Sequence, residues 1–471
     1  MAYTRKNPFY FKGHLNPQAS YPIFVWRNAI LAELIQDIEQ KEFPILIGPR
    51  QSGKTTIAYQ LWQRLLQNTA NKNLVFYLEC GNLASSSGTD VLSDIHKTCL
   101  KTLKLNYSDM EQQFSDIFSS KTPSSMYELS EFLDSLYLKS HGIDRIVLII
   151  DEIKVLSDDL IHDLLCTFRY LYESHHTKPD HLTNFSVIIL CQQDLSIFDI
   201  GRGSPYNIAT VRRLGNFSYN EYSALLDNDH AGKFISITFD DTAKEYIFAN
   251  TNGQPYLSQK ICYIALEIAW NNNLEEIDKR TAMMALFSLF KDGDRNLLII
   301  EKAVKADKYM EMLVVDLLRG WRKPFQRTNE CIRYSEEKGV IIENPANGMC
   351  VFRTKLYKRL LLNLYFNRIH TITGKYLLYD LTLFTDISEV QGLLLNEDIV
   401  KTISDKFKNL DDIDLTKLSE FIQEQDINID IEEIQFSFEF WKQDLDIRRL
   451  NSRVIYKILS TLFIEILKIK E

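Results

Sequence analysis

Residues Gly48 to Thr56 read GPRQSGKTT, directly after the apolar run Phe43–Ile47 and directly before a helical pattern of Ile57, Ala58, Leu61, Leu65 and Leu66. Strand, glycine loop and helix in that order are the context that the G-x-x-x-x-G-K-[ST] signature needs. Such a loop curls its backbone N–H groups around a polyphosphate, and the helix N-terminus adds partial positive charge behind it. Gly48, Pro49, Arg50, Gln51, Ser52, Gly53, Lys54, Thr55 and Thr56 are therefore expected to line the phosphates of a nucleoside triphosphate, taken to be ATP. Lys54 supplies a point charge for the β- and γ-phosphates and for catalysis, and Thr55 a hydroxyl for Mg²⁺.

A second apolar run, Ile146–Ile150, ends in Asp151-Glu152. Consecutive aliphatic residues indicate a strand buried on both faces of a parallel sheet. Carboxylates at the C-terminal end of such a strand fall where α/β folds bind ligands. Asp151 is expected to hold the Mg²⁺ shell and Glu152 to polarise the attacking water. Further strands are expected at Leu74–Leu78, Phe185–Leu190 and Ile208–Leu214. Gln192 and Gln193 then occupy the usual place of a γ-phosphate sensor, although a plain strand-to-loop transition accounts for them equally well. Adjacent strands ending at Asp151 and Gln192 suit an α/β P-loop sheet with an extra strand between Walker A and Walker B.

At 471 residues the chain exceeds one ordinary core, so two to four domains are expected. An apolar share of 45% and a charged share of 25% are those of a soluble globular protein. The seven cysteines form no C-x-x-C pair, which points to reduced, buried thiols rather than a zinc site or a disulfide framework. The opening MAYTRKNPFYFKG lacks the apolar core of a signal peptide, and the most apolar stretch, Val454 to Ile469, is interrupted by Lys457, Glu465 and Lys468. A cytoplasmic location without membrane contact is expected.

Residues roughly 20–270 resemble the bacterial AAA-like domain family, ATPases related to the AAA+ and STAND groups. The resemblance rests on GPRQSGKTT, on LIIDEIKVL at Leu148–Leu156, on LLCTFRYLYESHH at Leu164–His176, on SPYNIATVRRL at Ser204–Leu214 and on NGQPYLSQKIC at Asn252–Cys262. In such proteins a Gly-x-Pro turn, here Gly253-Gln254-Pro255, opens a lid helix close to the nucleotide, which implies a cofactor-binding role for Pro255. Pro suits a helix's first turn because its missing N–H would be unpaired there. Ile23 to Arg27 stands where this group carries a Phe-Val-Gly-Arg-like element near the adenine, with Trp26 replacing the glycine. The resemblance implies that Arg27 faces the nucleotide and that Trp26 covers the base or packs in the core. It also implies an arginine acting across a subunit interface, with Arg169, Arg202, Arg212 and Arg213 as candidates beside the alternative of surface ion pairs.

Four segments follow from this reading: an ATPase core at 1–215, a helical lid at 216–296, a winged-helix-like domain at 297–365 and an acidic helical domain at 366–471. Residues 297–365 carry 13 basic and 8 acidic side chains, a surplus that admits either duplex DNA or intramolecular packing as their partner. Arg319, Arg322, Lys323, Arg327, Arg353, Lys355, Lys358 and Arg359 are the candidate phosphate contacts. Residues 366–471 carry 13 basic and 20 acidic side chains and no recognisable catalytic set. His175-His176 reads as an exposed helix end rather than a metal site. The expected function is an ATP-hydrolysing switch that couples nucleotide state to domain arrangement, homo-oligomerisation or a protein partner, in bacterial signalling or defence. The alternatives are a DNA-dependent ATPase assembling on duplex DNA and a non-hydrolysing scaffold.

Overall fold

The computed structural model describes residues 7–13, 15, 25–67, 72–83, 88–108, 112–139, 143–177, 185–193, 195, 209–227, 237–291, 293–318 and 321–369. Nearly all of the expected acidic domain at 366–471, Arg202, Arg319 and the side chains of His175 and His176 lie outside the described residues. The chain divides into two compact units, the first of residues 1–236 and 253–263, the second of 237–252 and 264–471.

The first unit is built on five parallel strands: β1 (Phe43–Ile47), β2 (Asn73–Glu79), β3 (Arg145–Asp151), β4 (Phe185–Cys191) and β5 (Ala209–Arg213). Their order across the sheet is β2-β3-β4-β1-β5, so β4 is inserted between the strand before the glycine loop and the strand that ends in Asp151. Helices α1 (Asn28–Glu39) and α2 (Lys54–Gln67) belong to one face. Helices α3 (Gly88–Asn106), α4 (Ser115–Phe118), α5 (Met126–Leu138) and α6 (Asp158–Thr177) belong to the other. The α/β P-loop fold is thus present in full.

Strand alternation assigns each apolar residue to a face. Leu46, Val75, Val147, Ile149, Ile188 and Leu190 pack with Leu31, Leu34 and Ile38 of α1 and Ile57, Ala58, Leu61 and Leu65 of α2. Their neighbours in sequence, Ile45, Phe76, Leu148, Ile150, Val187 and Ile189, pack with Ile95, Leu133, Leu164 and Phe168 on the opposite side. Two-sided burial is why β1, β3 and β4 read as largely apolar runs, and each fully buried Leu or Ile contributes about 1.5–3 kcal/mol.

Helix α7 (Tyr219–Asp227) closes the first unit. In the second, β6 (Thr238–Phe239) pairs with β7 (Glu276–Ile277) around α8 (Asp241–Thr251). Helix α9 (Pro255–Asn271) starts in the first unit and ends in the second. Then come α10 (Lys279–Lys291), α11 (Arg295–Ala306), α12 (Lys308–Leu318) and α13 (Glu330–Glu337). An antiparallel hairpin of β8 (Ile341–Asn344) and β9 (Met349–Phe352) precedes α14 (Lys355–Ile369). Gly348, at φ +68°, takes the left-handed conformation that the turn requires. Thr354 caps α14 through the Tyr357 N–H at 3.0 Å, and the buried Tyr357 hydroxyl donates to Asn296 at 2.8 Å, tying α14 to α11.

Candidate active site

The glycine loop hangs between β1 and α2 and is pinned at its start, where the Gly48 N–H donates to the Cys191 carbonyl at 3.1 Å and the Leu214 N–H to that of Ile47 at 2.7 Å. The end of β4 thereby lies beside the loop, and Gln192 follows it directly. Gln51 (φ +61°) and Gly53 (φ +92°) are both left-handed and turn the chain so that α2 begins at Lys54. Gly48 must be a glycine: a Cβ there would meet Ser52 Oγ at 2.8 Å and Leu214 at 3.1 Å. Ser52 is buried, and its Oγ has no hydrogen-bond partner. An orphaned buried hydroxyl inside a nest of loop N–H groups fits a phosphate oxygen.

Lys54 Nζ donates to the carbonyls of Gly48 and Pro49 at 2.7 and 3.0 Å, so the ammonium lies across the loop. Across the site Thr55 Oγ1 donates to Asp151 Oδ2 at 2.6 Å. The phenol of Tyr77, on β2, donates to the same oxygen at 3.2 Å. Asp151 Oδ1 accepts the Glu152 N–H at 2.9 Å. Burial first, and then the neighbouring Asp151 carboxylate, push the Tyr77 hydroxyl upward, so it stays a neutral donor. Glu152 is exposed and sits at φ +59°, a left-handed backbone that a non-glycine residue adopts at some cost in energy. Its side chain emerges beside the chain after β2, where Cys80, pushed up to about 12 by burial and then by Asp151, Glu152 and Glu79, stays a neutral thiol.

The structure brings Lys54, Thr55, Asp151 and Glu152 to the C-terminal edge of the sheet. Gln254 joins them from the Gly-x-Pro turn, a residue the sequence reading passed over in favour of Pro255. Its side chain is buried; Nε2 donates to the Gln51 carbonyl at 3.2 Å and Oε1 accepts the Leu257 N–H at 2.6 Å. One amide thus caps α9 and holds the phosphate loop in its left-handed turn. Pro255 itself is the first residue of α9.

Arg27, expected to face the nucleotide, is committed elsewhere. Its guanidinium bonds to Glu221 at 3.1 Å and to the carbonyls of Gly215 and Asn216 at 2.9 Å each, fixing the start of α7. Trp26 packs against the core of α1 and α2, with the Arg64 guanidinium 5.0 Å from its ring centre. Of the candidate arginine fingers, Arg212 pairs at 2.6 Å with Asp37, which is 1% exposed, and with Glu33 at 3.4 Å. Arg169 pairs with Glu173 one turn along α6 at 2.6 Å.

Comparison with known families agrees with this geometry: residues 36–196, which hold the glycine loop and the Asp151-Glu152 pair, match the model of the AAA domain. This segment is thus similar to the AAA domains of P-loop ATPases. An uncharacterized WD repeat-containing protein of Synechocystis sp. is 27% identical over 154 residues, a stretch covering 32% of this chain and 13% of that protein. The chain therefore matches only a small part of that relative's length. Among solved structures, a Walker-type ATPase of Pyrococcus abyssi aligns with 75% of this chain and 99% of its own, at 15% identity and a TM-score of 0.49. The ORC2 protein of Aeropyrum pernix aligns with 78% of this chain and 99% of its own, at 11% identity and a TM-score of 0.46. The Thermotoga maritima RuvB Holliday junction branch migration motor covers 71% of this chain and 95% of its own, at 15% identity and a TM-score of 0.38. Among the described residues of this chain, no helix is long and apolar enough to cross a membrane.

Proposed function

We propose that this chain binds Mg²⁺·ATP at the AAA domain, hydrolyses it slowly, and uses the difference between ATP and ADP to shift its domain arrangement, its self-association or its hold on a protein partner. The observation that carries the reading is the convergence of Thr55 Oγ1 and Asp151 Oδ2 at 2.6 Å at the end of a glycine loop whose carbonyls hold the Lys54 ammonium. A hydroxyl and a carboxylate, completed by phosphate oxygens and water, are what Mg²⁺ takes in phosphoryl-transfer sites. Thr55 and Asp151 would hold that ion, which neutralises charge on the β- and γ-phosphates when bound. Lys54 would orient the same oxygens, the loop N–H groups and Ser52 Oγ would cradle them, and Glu152 would take the proton of the attacking water.

The hairpin β8–β9, with α13 before it and α14 after it, supports a winged-helix-like reading of the second unit. Its charges favour a use within the protein over duplex DNA. Arg327 donates twice to Glu336 at 2.8 Å and lies 3.7 Å from Glu343, Lys323 pairs with Asp316 at 3.1 Å, and Arg353 is buried. Helix α13, in the position of a groove-reading helix, carries Glu330, Glu336 and Glu337.

The test is nucleotide binding and phosphate release by wild type, Lys54→Ala and Glu152→Gln. Lys54→Ala is expected to lose ATP binding. Glu152→Gln is expected to keep binding while turnover drops roughly 100- to 10,000-fold, the span of a general base's contribution. Wild-type turnover in Glu152→Gln would remove that residue from the chemistry, and full binding by Lys54→Ala would remove the site itself.

A further inference from the structure

We infer that Gly81 is a positioning residue for hydrolysis, whose missing side chain leaves the space in which the Glu152 carboxylate stands. The inference deepens the proposed ATPase reading and rests on it. Gly81 follows β2, in the short 3-10 turn Cys80–Leu83, while Glu152 follows the neighbouring β3. Glu79 and Asp151 are register partners across that strand pair, so the two chain ends leave the sheet side by side.

Glycine here is not explained by its backbone. Gly81 is absent from the positive-φ glycines, so any L-residue could take its conformation. What a Cβ at Gly81 would meet is Glu152: Oε2 overlaps the built atom, and Cδ lies 3.5 Å away. Among the described residues the next neighbour is Glu79 Cγ at 4.0 Å, an ordinary contact. Among the described residues the clash is thus with the far end of a flexible, exposed side chain. A methyl group at position 81 has no reason to unfold the sheet, and it must drive the carboxylate aside. Glu152 has little freedom to compensate through its main chain. Its N–H is bonded to Asp151 Oδ1, its carbonyl accepts the Val155 N–H at 3.1 Å, and its φ is already left-handed. Displacement therefore falls on the side-chain torsions, and the carboxylate leaves the position from which it reaches the attacking water. Misplacing a reacting group by about 1 Å can cost on the order of a hundredfold in rate.

The experiment compares wild type, Gly81→Ala, Glu152→Asp and Gly81→Ala/Glu152→Asp as the full 471-residue chain, with ATP turnover, ADP affinity by calorimetry and thermal unfolding as readouts. Gly81→Ala is expected to lower kcat by about 10- to 100-fold, with ADP affinity and melting temperature unchanged. In the Glu152→Asp background, where the shorter carboxylate no longer reaches the methyl, the same substitution is expected to change kcat less than about twofold, the non-additivity of two groups in contact. Wild-type kcat in Gly81→Ala overturns the inference, as does a loss shared by ADP affinity or stability, or one of equal size in both backgrounds. Failure of the ATPase reading itself is separate: it shows as absent ATP turnover in wild type or full ATP binding by Lys54→Ala, whatever Gly81→Ala does.

Discussion

At the scale of single residues, the members of the candidate site were legible where the chain writes them locally. Lys54, Thr55 and the loop glycines are contiguous, and Asp151-Glu152 ends an apolar run. What sequence alone hid was the work of residues whose partners lie far along the chain. For Arg212 the choice between an interface arginine and an ion pair stayed open until the fold put Asp37, 175 residues away, within 2.6 Å. Gly81 carries no sequence signal, because clearance for a side chain 71 positions later leaves no pattern. Burial also sets a pH limit that composition does not show. Cys80 and Cys99 are pushed up to about 12 chiefly by burial, from thiol values near 9 in the unfolded chain. Groups whose folded pKa is raised keep their stabilising effect below the unfolded value and lose it as pH rises toward the folded one. Stability is therefore expected to hold up to about pH 8.5 and to fall above it, by roughly 1–2 kcal/mol per buried thiol at pH 10. Urea midpoints at pH 7 and pH 10 check this, and equal midpoints would contradict it.

At the scale of elements, the sheet was readable because strands covered on both faces cannot hide their hydrophobicity. The expected runs 74–78 and 185–190 became β2 and β4, each lengthened by a residue or two at its ends. The order of the strands followed from the same runs once β4 was recognised as the inserted strand. The Gly-x-Pro turn was legible as a helix start but not as a brace on the phosphate loop. Gln254 holds Gln51 because the fold folds α9 back to a loop two hundred positions earlier, and no local spacing encodes that. Gln254→Ala removes the side-chain cap of α9 and the bond to Gln51 together. A lost cap costs typically about 1 kcal/mol, and the lost hydrogen bond to Gln51 about 0.5–1.5 kcal/mol. Nucleotide affinity is expected to fall about tenfold or more, since the loop's left-handed turn loses its clamp. Gln254→Glu separates the two roles: it keeps an acceptor for the Leu257 N–H but aims a carboxylate oxygen at the Gln51 carbonyl. It should retain α9 yet lose affinity at least as much as the alanine variant. Calorimetry with ADP, read beside helix content by circular dichroism, decides the matter, and unchanged affinity in both variants would rule out the clamp.

At the scale of the whole molecule, connectivity around Gln254 suggests how a nucleotide could be felt beyond its own unit. The chain passes from one compact unit to the other after residues 236, 252 and 263, so residues 253–263 are a piece of the first unit threaded between two pieces of the second. Each side of the 252–253 crossing is anchored at once. Asn252, left-handed at φ +48°, donates through its side chain to the Arg353 carbonyl at 3.1 Å, within the second unit. Gly253, left-handed at φ +67°, offers its carbonyl to the Phe217 N–H at 2.8 Å, within the first. Three consecutive residues thus bind the hairpin end of one unit, the start of α7 and the phosphate loop of the other. A ligand alters a conformational equilibrium only by as much as it discriminates between states, and a three-residue stretch anchored on both sides of a crossing is where such discrimination can be passed on. ATP and its slowly hydrolysed analogues are therefore expected to give a different radius of gyration from ADP in solution scattering. Asn252→Ala should shrink that difference while leaving turnover within about twofold, since side-chain contacts outside the reacting groups carry no transition-state charge. Identical scattering curves for the two nucleotides in wild type would mean that hydrolysis is not coupled to domain arrangement. A full response in Asn252→Ala would mean that the coupling runs through another of the three crossings.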